Sequence, residues 1–194
     1  MTEVLLLHHA QGLTDGVRDL AGRLRLAGHT VHTPDSYDGN TFKTVDEGLA
    51  YAREIGFGEI QQRGVRSAEG LPAGLVYIGI SMGVMAAQLL AQTRAGARGA
   101  VLLEGCVPPT EFGTGWPAGV PVQVHGMDAD PSFVEEGDLD AARELVKQAE
   151  HGELFMYPGD RHLFTDSSLA TYDAEATELV IKRVVDFLAR YGEA

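Results

Sequence analysis

The stretch Leu75-Val76-Tyr77-Ile78-Gly79-Ile80-Ser81-Met82-Gly83-Val84-Met85-Ala86-Ala87 decides the fold. Leu75 to Ile78 is apolar at every position and reads as a strand buried on both faces. Met82 to Ala95 reads as a helix that is apolar on nearly every side. Between them Gly79-Ile80-Ser81-Met82-Gly83 fits G-x-S-x-G in the strand–turn–helix setting that a nucleophile elbow requires. Such a turn holds the serine in a strained conformation, and glycines two residues to either side let strand and helix approach closely. The hydroxyl then projects from the carboxyl end of the sheet. The helix N-terminus offers N–H groups and a partial positive charge to a developing oxyanion, with the Met82 amide as one donor. A serine in an ordinary tight turn, its glycines present for packing, fits the same pentapeptide; its place between strand and helix favours the chemical reading.

Outward from this turn, strands and helices alternate. Val4-Leu5-Leu6-Leu7 reads as a buried strand ending in His8-His9. Thr14 is a candidate N-cap for a helix with Val17, Leu20, Ala21, Leu24 and Ala27 at helical spacing, and Gly28 stands where a helix ends. His29 to His32 forms a short second strand, which Pro34 prevents from continuing. Helices follow near 44–55 and 58–69. Beyond the elbow, Ala100–Leu103, Val120–Val124 and Leu154–Tyr157 read as strands. Leu139, Ala142, Leu145, Val146 and Ala149 mark one amphipathic helix, and Val180, Val184, Phe187, Leu188 and Tyr191 mark the closing one. Apolar strands separated by helices imply an α/β fold with a mostly parallel sheet covered on both faces. No internal repeat, low-complexity tract or linker divides the sequence, so residues 1–194 are expected to form a single domain with no separate lid domain.

Composition sets the broad class. The chain has 194 residues, 44% of them hydrophobic and 22% charged, the usage of an ordinary globular protein. Fifteen Lys+Arg against twenty-eight Asp+Glu give a formal charge of −13, which repels phosphate backbones and anionic membranes. No nucleic-acid or membrane partner is therefore expected. The single cysteine, Cys106, excludes an internal disulfide and a cysteine-based zinc cluster, and it reads as a buried structural residue. The Val4–Leu7 run is far short of the ~20 residues that span a bilayer. A cytoplasmic location is expected.

A serine nucleophile needs a base, and the base needs an orienting acid, in chain order Ser, Asp/Glu, His for this elbow. His125, His151 and His162 lie downstream of Ser81. His125 falls within a strand and His151 at a polar helix end. His162 lies in the loop Pro158-Gly159-Asp160-Arg161-His162-Leu163-Phe164 after the last strand, which returns a side chain to the carboxyl edge of the sheet. The acid is expected after the Val120–Val124 strand, in Gly126-Met127-Asp128-Ala129-Asp130-Pro131. Spacing leaves Asp128 and Asp130 both open, one to orient His162 and the other to cap the turn.

With these residues in view, the sequence resembles the dienelactone hydrolase family of small α/β hydrolases over essentially its whole length. The resemblance is carried by His8-His9-Ala10-Gln11-Gly12-Leu13-Thr14, by Thr33-Pro34-Asp35-Ser36-Tyr37-Asp38-Gly39, by the Ser81 elbow, by Asp130-Pro131, and by Tyr157-Pro158-Gly159 leading into His162-Leu163-Phe164. It implies the α/β-hydrolase fold, Asp130 as the acid because Asp-Pro is common in that turn of the family, and a second oxyanion donor after the first strand at Gln11 or Ala10. The best-known members carry a cysteine where this chain has Ser81, and the residue before the histidine, small in the family, is Arg161 here. Arg63, Arg66 and Arg161 are candidate anion contacts, with surface ion pairs as the alternative role for each. The resemblance implies a serine hydrolase for small carboxylic esters or lactones, working through an acyl-enzyme without metal or organic cofactor. Two rivals use the same scaffold: a non-catalytic protein binding a small ligand, and an acyl transferase or thioesterase.

Overall fold

The structure of the protein is a computed structural model in which residues 1–192 are described. In chain order the elements are β1 (Glu3–Leu7), α1 (Asp15–Leu26), β2 (Thr30–His32), α2 (Val45–Ile55), α3 (Phe57–Arg66), β3 (Leu75–Ile80), α4 (Val84–Thr93), β4 (Gly99–Leu103), β5 (Val122–Met127), α5 (Pro131–Val134), α6 (Asp138–Gln148), β6 (Gly152–Tyr157) and α7 (Ala174–Tyr191). The six strands form one sheet in the order β2-β1-β3-β4-β5-β6, and every neighbouring pair is parallel. The α/β architecture with a parallel central sheet is the one the apolar strand runs imply.

Alternation along each strand divides the core in two, because successive side chains point to opposite faces. Val4 and Leu6 of β1, Val76 and Ile78 of β3 and Val101 of β4 pack against Leu20 and Leu24 of α1 and Val180, Val184 and Phe187 of α7. Leu5, Leu7, Tyr77 and Leu102 face the other way, toward Ala87 and Leu90 of α4 and Ala142 and Leu145 of α6. Both faces of the sheet are therefore covered, which is why β1, β3 and β4 read as near-continuous apolar runs, while β5 buries Gln123 and His125 as a hydrogen-bonded pair joined to Glu153 and Tyr157.

Two local differences from the sequence reading have physical causes. Val120 belongs to a turn, its amide donating to the Pro117 carbonyl, and β5 starts only at Val122, one residue past Pro121, which has no N–H to give the ladder. The second is α5, a single turn that periodicity cannot detect in four residues. Asp130 caps it by accepting from the Ser132 amide, and Pro131 occupies its first position.

The chain enters the sheet at β1, runs outward to β2, then crosses back to β3. In an open parallel sheet, the crevice at the carboxyl ends of the strands opens where the order reverses. Here that point lies between β1 and β3, so the loop after β1 and the turn after β3 face each other.

Candidate active site

Ser81 follows the last residue of β3 with φ +47, one of four non-glycine residues with positive φ among those described. Such a backbone is costly for an L side chain and persists where surrounding structure enforces it. The enforcement comes from close approach. A Cβ on Gly79 would stand 2.6 Å from the Val84 Cα, and one on Gly83 would stand 2.4 Å from the Leu7 carbonyl oxygen. Only glycine lets the turn Ser81–Gly83 fold back onto β1 before α4 begins.

His162 comes to Ser81 from the loop after β6. Leu163, at φ +61, and Phe164 are both buried in the core beneath, anchoring the loop directly after the histidine. The Ser81 hydroxyl donates to His162 Nε2 at 2.9 Å, and His162 Nδ1 donates to Asp130 Oδ2 at 2.7 Å. Asp130 is fully buried at the end of β5, and its other oxygen accepts the Ser132 amide at 3.0 Å. Asp128 turns away, accepting the Gly159 amide at 3.0 Å and fastening the start of the loop that carries His162. Burial by itself disfavours the charged imidazole. The Asp130 hydrogen bond and the charges of Glu104, Asp130 and Asp138 outweigh it and lift the His162 pKa above 6.5.

At the end of β1, the two expected oxyanion donors part company. The Gln11 amide donates to His9 Nδ1 at 3.2 Å, whereas the Ala10 amide carries no backbone or side-chain bond among the described residues. His8 and His9 point to opposite sides. His8 donates from Nδ1 to the His9 carbonyl and accepts the Ser36 amide on Nε2, and burial lowers its pKa to about 4. His9 donates to Asp166 at 2.8 Å. Among the described residues no group of His, Cys, Asp and Glu is arranged to hold a metal ion.

The three arginines are all engaged with neighbours. Arg63 binds Asp38, Glu59 and the Ser36 carbonyl, Arg66 binds Glu59, and Arg161 donates to the Tyr172 carbonyl near Asp173. Cys106 is buried and its thiol pKa is pushed up by burial. His125 pairs with Tyr157 inside the sheet, and His151 stacks on Tyr191. Sequence reasoning passed over Glu104, which directly follows β4 and lies fully buried near His162. Its signal was there to find: a carboxylate closing an aliphatic strand is expensive to bury without a purpose.

A cavity of about 270 Å3 lies between α3 and α4, walled chiefly by Leu7, His8, Phe57, Ile60, Met82 and Met85. Ser81 and His162 are not in its wall; Met82 and Gly83 are where it meets the elbow. Among the described residues no helix is long and apolar enough to cross a membrane.

The parallel sheet, the strand–turn–helix elbow and the order of its elements define an α/β hydrolase. The profile of the dienelactone hydrolase family matches residues 1–192, and the chain belongs to that family of hydrolases. Solved structures agree on the fold. A dienelactone hydrolase from Anabaena variabilis superposes with a TM-score of 0.69 at 18% identity, covering 100% of this chain and 88% of that one. A dienelactone hydrolase-like promiscuous phosphotriesterase from metagenomic libraries gives 0.75 at 17% identity, covering 100% and 87%. The esterase domain of a Rhodothermus marinus protein gives 0.63 at 14% identity, covering 99% and 88%. No curated protein sequence matches the chain.

Proposed function

We propose that this hydrolase cleaves small carboxylic esters or lactones with Ser81 as nucleophile, His162 as general base and Asp130 as the acid that orients it. The observation that carries this reading is the continuous chain of hydrogen bonds from Ser81 Oγ through His162 to Asp130, 2.9 and 2.7 Å long, at a serine held in left-handed backbone. In the first step His162 Nε2 takes the hydroxyl proton as Oγ attacks the carbonyl carbon. The tetrahedral oxyanion is held by the Met82 amide and by the Ala10 amide, since the Gln11 amide is spent on His9. The alkoxide leaves with the proton from His162. The imidazole then deprotonates a water that attacks the acyl-enzyme, the acid departs, and Ser81 recovers its proton.

The apolar cavity behind Met82 supports a substrate with a hydrocarbon portion, lodged against α3 and α4. A carboxylate-gripping cluster has no support here, because Arg63, Arg66 and Arg161 are bound to neighbouring groups.

Intact-protein mass spectrometry after treatment with a small fluorophosphonate, followed by peptide mapping, tests the reading. One adduct on Ser81, lost in Ser81→Ala and suppressed in His162→Ala, is expected. A folded protein that takes no adduct would overturn the assignment of an activated serine.

A further inference from the structure

Glu104 carries three costs at once. It is 1% exposed, its backbone sits at φ +59, and one carboxylate oxygen, Oε2, has no hydrogen-bond partner. Glycine would take that backbone without strain, and Gly105 is the very next residue. A buried acceptor left unpaired calls for an explanation, and strained residues cluster where function over-determines the structure.

Its position offers one. Ile80 of β3 pairs in register with Leu103 of β4, so Ser81 and Glu104 leave adjacent strand ends side by side, both in left-handed backbone. The Glu104 amide is tied to the His125 carbonyl at 2.7 Å. Glu104 Oε1 accepts both the amide and the hydroxyl of Thr165, at 3.2 and 2.7 Å. Thr165 lies three residues beyond His162, on the same loop. The carboxyl therefore grips the segment that carries the histidine, while its charge acts on the imidazole from the side of β4.

We infer that Glu104 is a second positioning acid for His162, clamping the loop through Thr165 and stabilising, across the β4 strand end, the imidazolium that forms when Ser81 attacks. The inference rests on the reading of His162 as the base. Asp130 holds Nδ1 directly; Glu104 acts without touching the reacting atoms.

The titratable groups acting on Glu104 are His162 from the loop after β6 and Asp130 from the start of α5. The histidine also feels Asp138 from the start of α6. Burial raises the Glu104 pKa to about 7, against the pull of His162 and Thr165, and the His162 pKa is itself raised in part by the Glu104 charge, so the two titrations are linked. A neutral residue at this position removes one of the charges that lift His162.

Glu104→Gln keeps an oxygen for both Thr165 bonds and removes only the charge. The test is a histidine NMR titration of Ser81→Ala protein, with and without Glu104→Gln, the His162 signal identified by its loss in His162→Asn. The Glu104→Gln background is expected to titrate His162 lower by roughly half a pH unit or more. Thr165→Val, which loosens the clamp and leaves the carboxyl less ionised, is expected to move it the same way by less. In the otherwise wild-type enzyme, the acid limb of kcat/KM on p-nitrophenyl acetate shifts to lower pH with Glu104→Gln. An unmoved His162 titration in folded Glu104→Gln protein overturns the inference, even if melting temperature or activity falls. Should the Glu104→Gln protein not fold, an unmoved titration in Thr165→Val overturns it instead. The titration needs no turnover, so an inactive wild type with a shifted His162 would sink the serine-esterase reading while leaving the coupling of Glu104 to His162 standing.

Discussion

His9 and Asp166 join the loop after β1 to the loop after β6 through a buried 2.8 Å hydrogen bond. The bond has two consequences at the candidate site. With Nε2 donating to Asp166, His9 Nδ1 is left as an acceptor, and it takes the Gln11 amide. Of the two amides at the end of β1, that of Ala10 is left without a partner among the described residues, which is why it takes the second oxyanion bond in the proposed mechanism. The bond also ties the strand end that faces the elbow to the loop four residues beyond His162.

The Asp166 carboxylate also accepts from Thr14 and from the amide and hydroxyl of Ser168. Burial pushes its pKa up, but the hydrogen bonds from His9, Ser168 and Thr14 overcome this and lower it to about 2. A folded-state pKa below the ordinary 3.8 means the stabilisation is present above that value and disappears as pH falls toward 2. Asp166→Asn should cost about 1–3 kcal/mol near neutral pH. Melting curves at pH 7, 4 and 2 should show the gap to wild type closing with acid; a gap that stays constant would contradict this assignment.

Asp130 and Asp128 separate by function under mutation. Asp130→Asn preserves the cap on α5, because asparagine caps as well as aspartate, but it removes the carboxylate that holds the His162 tautomer. A fall in kcat/KM of roughly ten-thousandfold is expected, with little change in melting temperature. Asp128→Ala breaks only the bond to the Gly159 amide, costing about 1 kcal/mol and less than about tenfold in rate. Steady-state kinetics on one ester, run beside thermal melts, reads both. Equal losses from the two variants would remove Asp130 from its proposed role.

Under the proposed reading, the cavity between α3 and α4 makes chain length a specificity variable. Gly58 lines it, and a Cβ there meets nothing within 4 Å, so a larger side chain fits the fold and narrows the cavity at its wall. Gly58→Leu should leave p-nitrophenyl acetate turnover near wild type and reduce kcat/KM on the octanoate by about tenfold or more. Stability should hold or rise slightly, since leucine is a better helix former than glycine. An unchanged acetate-to-octanoate ratio would mean the substrate chain lies elsewhere.

The parallel sheet was legible in its fully buried strands. Strands such as Leu75–Ile80 and Gly99–Leu103 bury both faces, so their apolar runs carry the signal without tertiary information. The elbow was legible for a related reason: its geometry is enforced by glycines at Gly79 and Gly83, local in sequence. The single turn of α5 was not, since four residues hold barely one helical period.

The sequence by itself determined the fold class and the strand–turn–helix elbow at Ser81, and it set a serine, an aspartate pair and a histidine in the chain order that the proposed triad needs, because each depends on short-range pattern. It also reduced the acid to two residues of one turn. Only the tertiary structure decided which of them stands against His162, since Asp128 and Asp130 differ by the direction a tight turn takes after β5. The free amide at Ala10 is likewise set by a partner 157 residues from His9. The buried carboxyl of Glu104 depends on strand register, which brings residue 104 beside residue 81. Contacts of that range come from packing two strand ends and a loop into one crevice, and no local pattern encodes them.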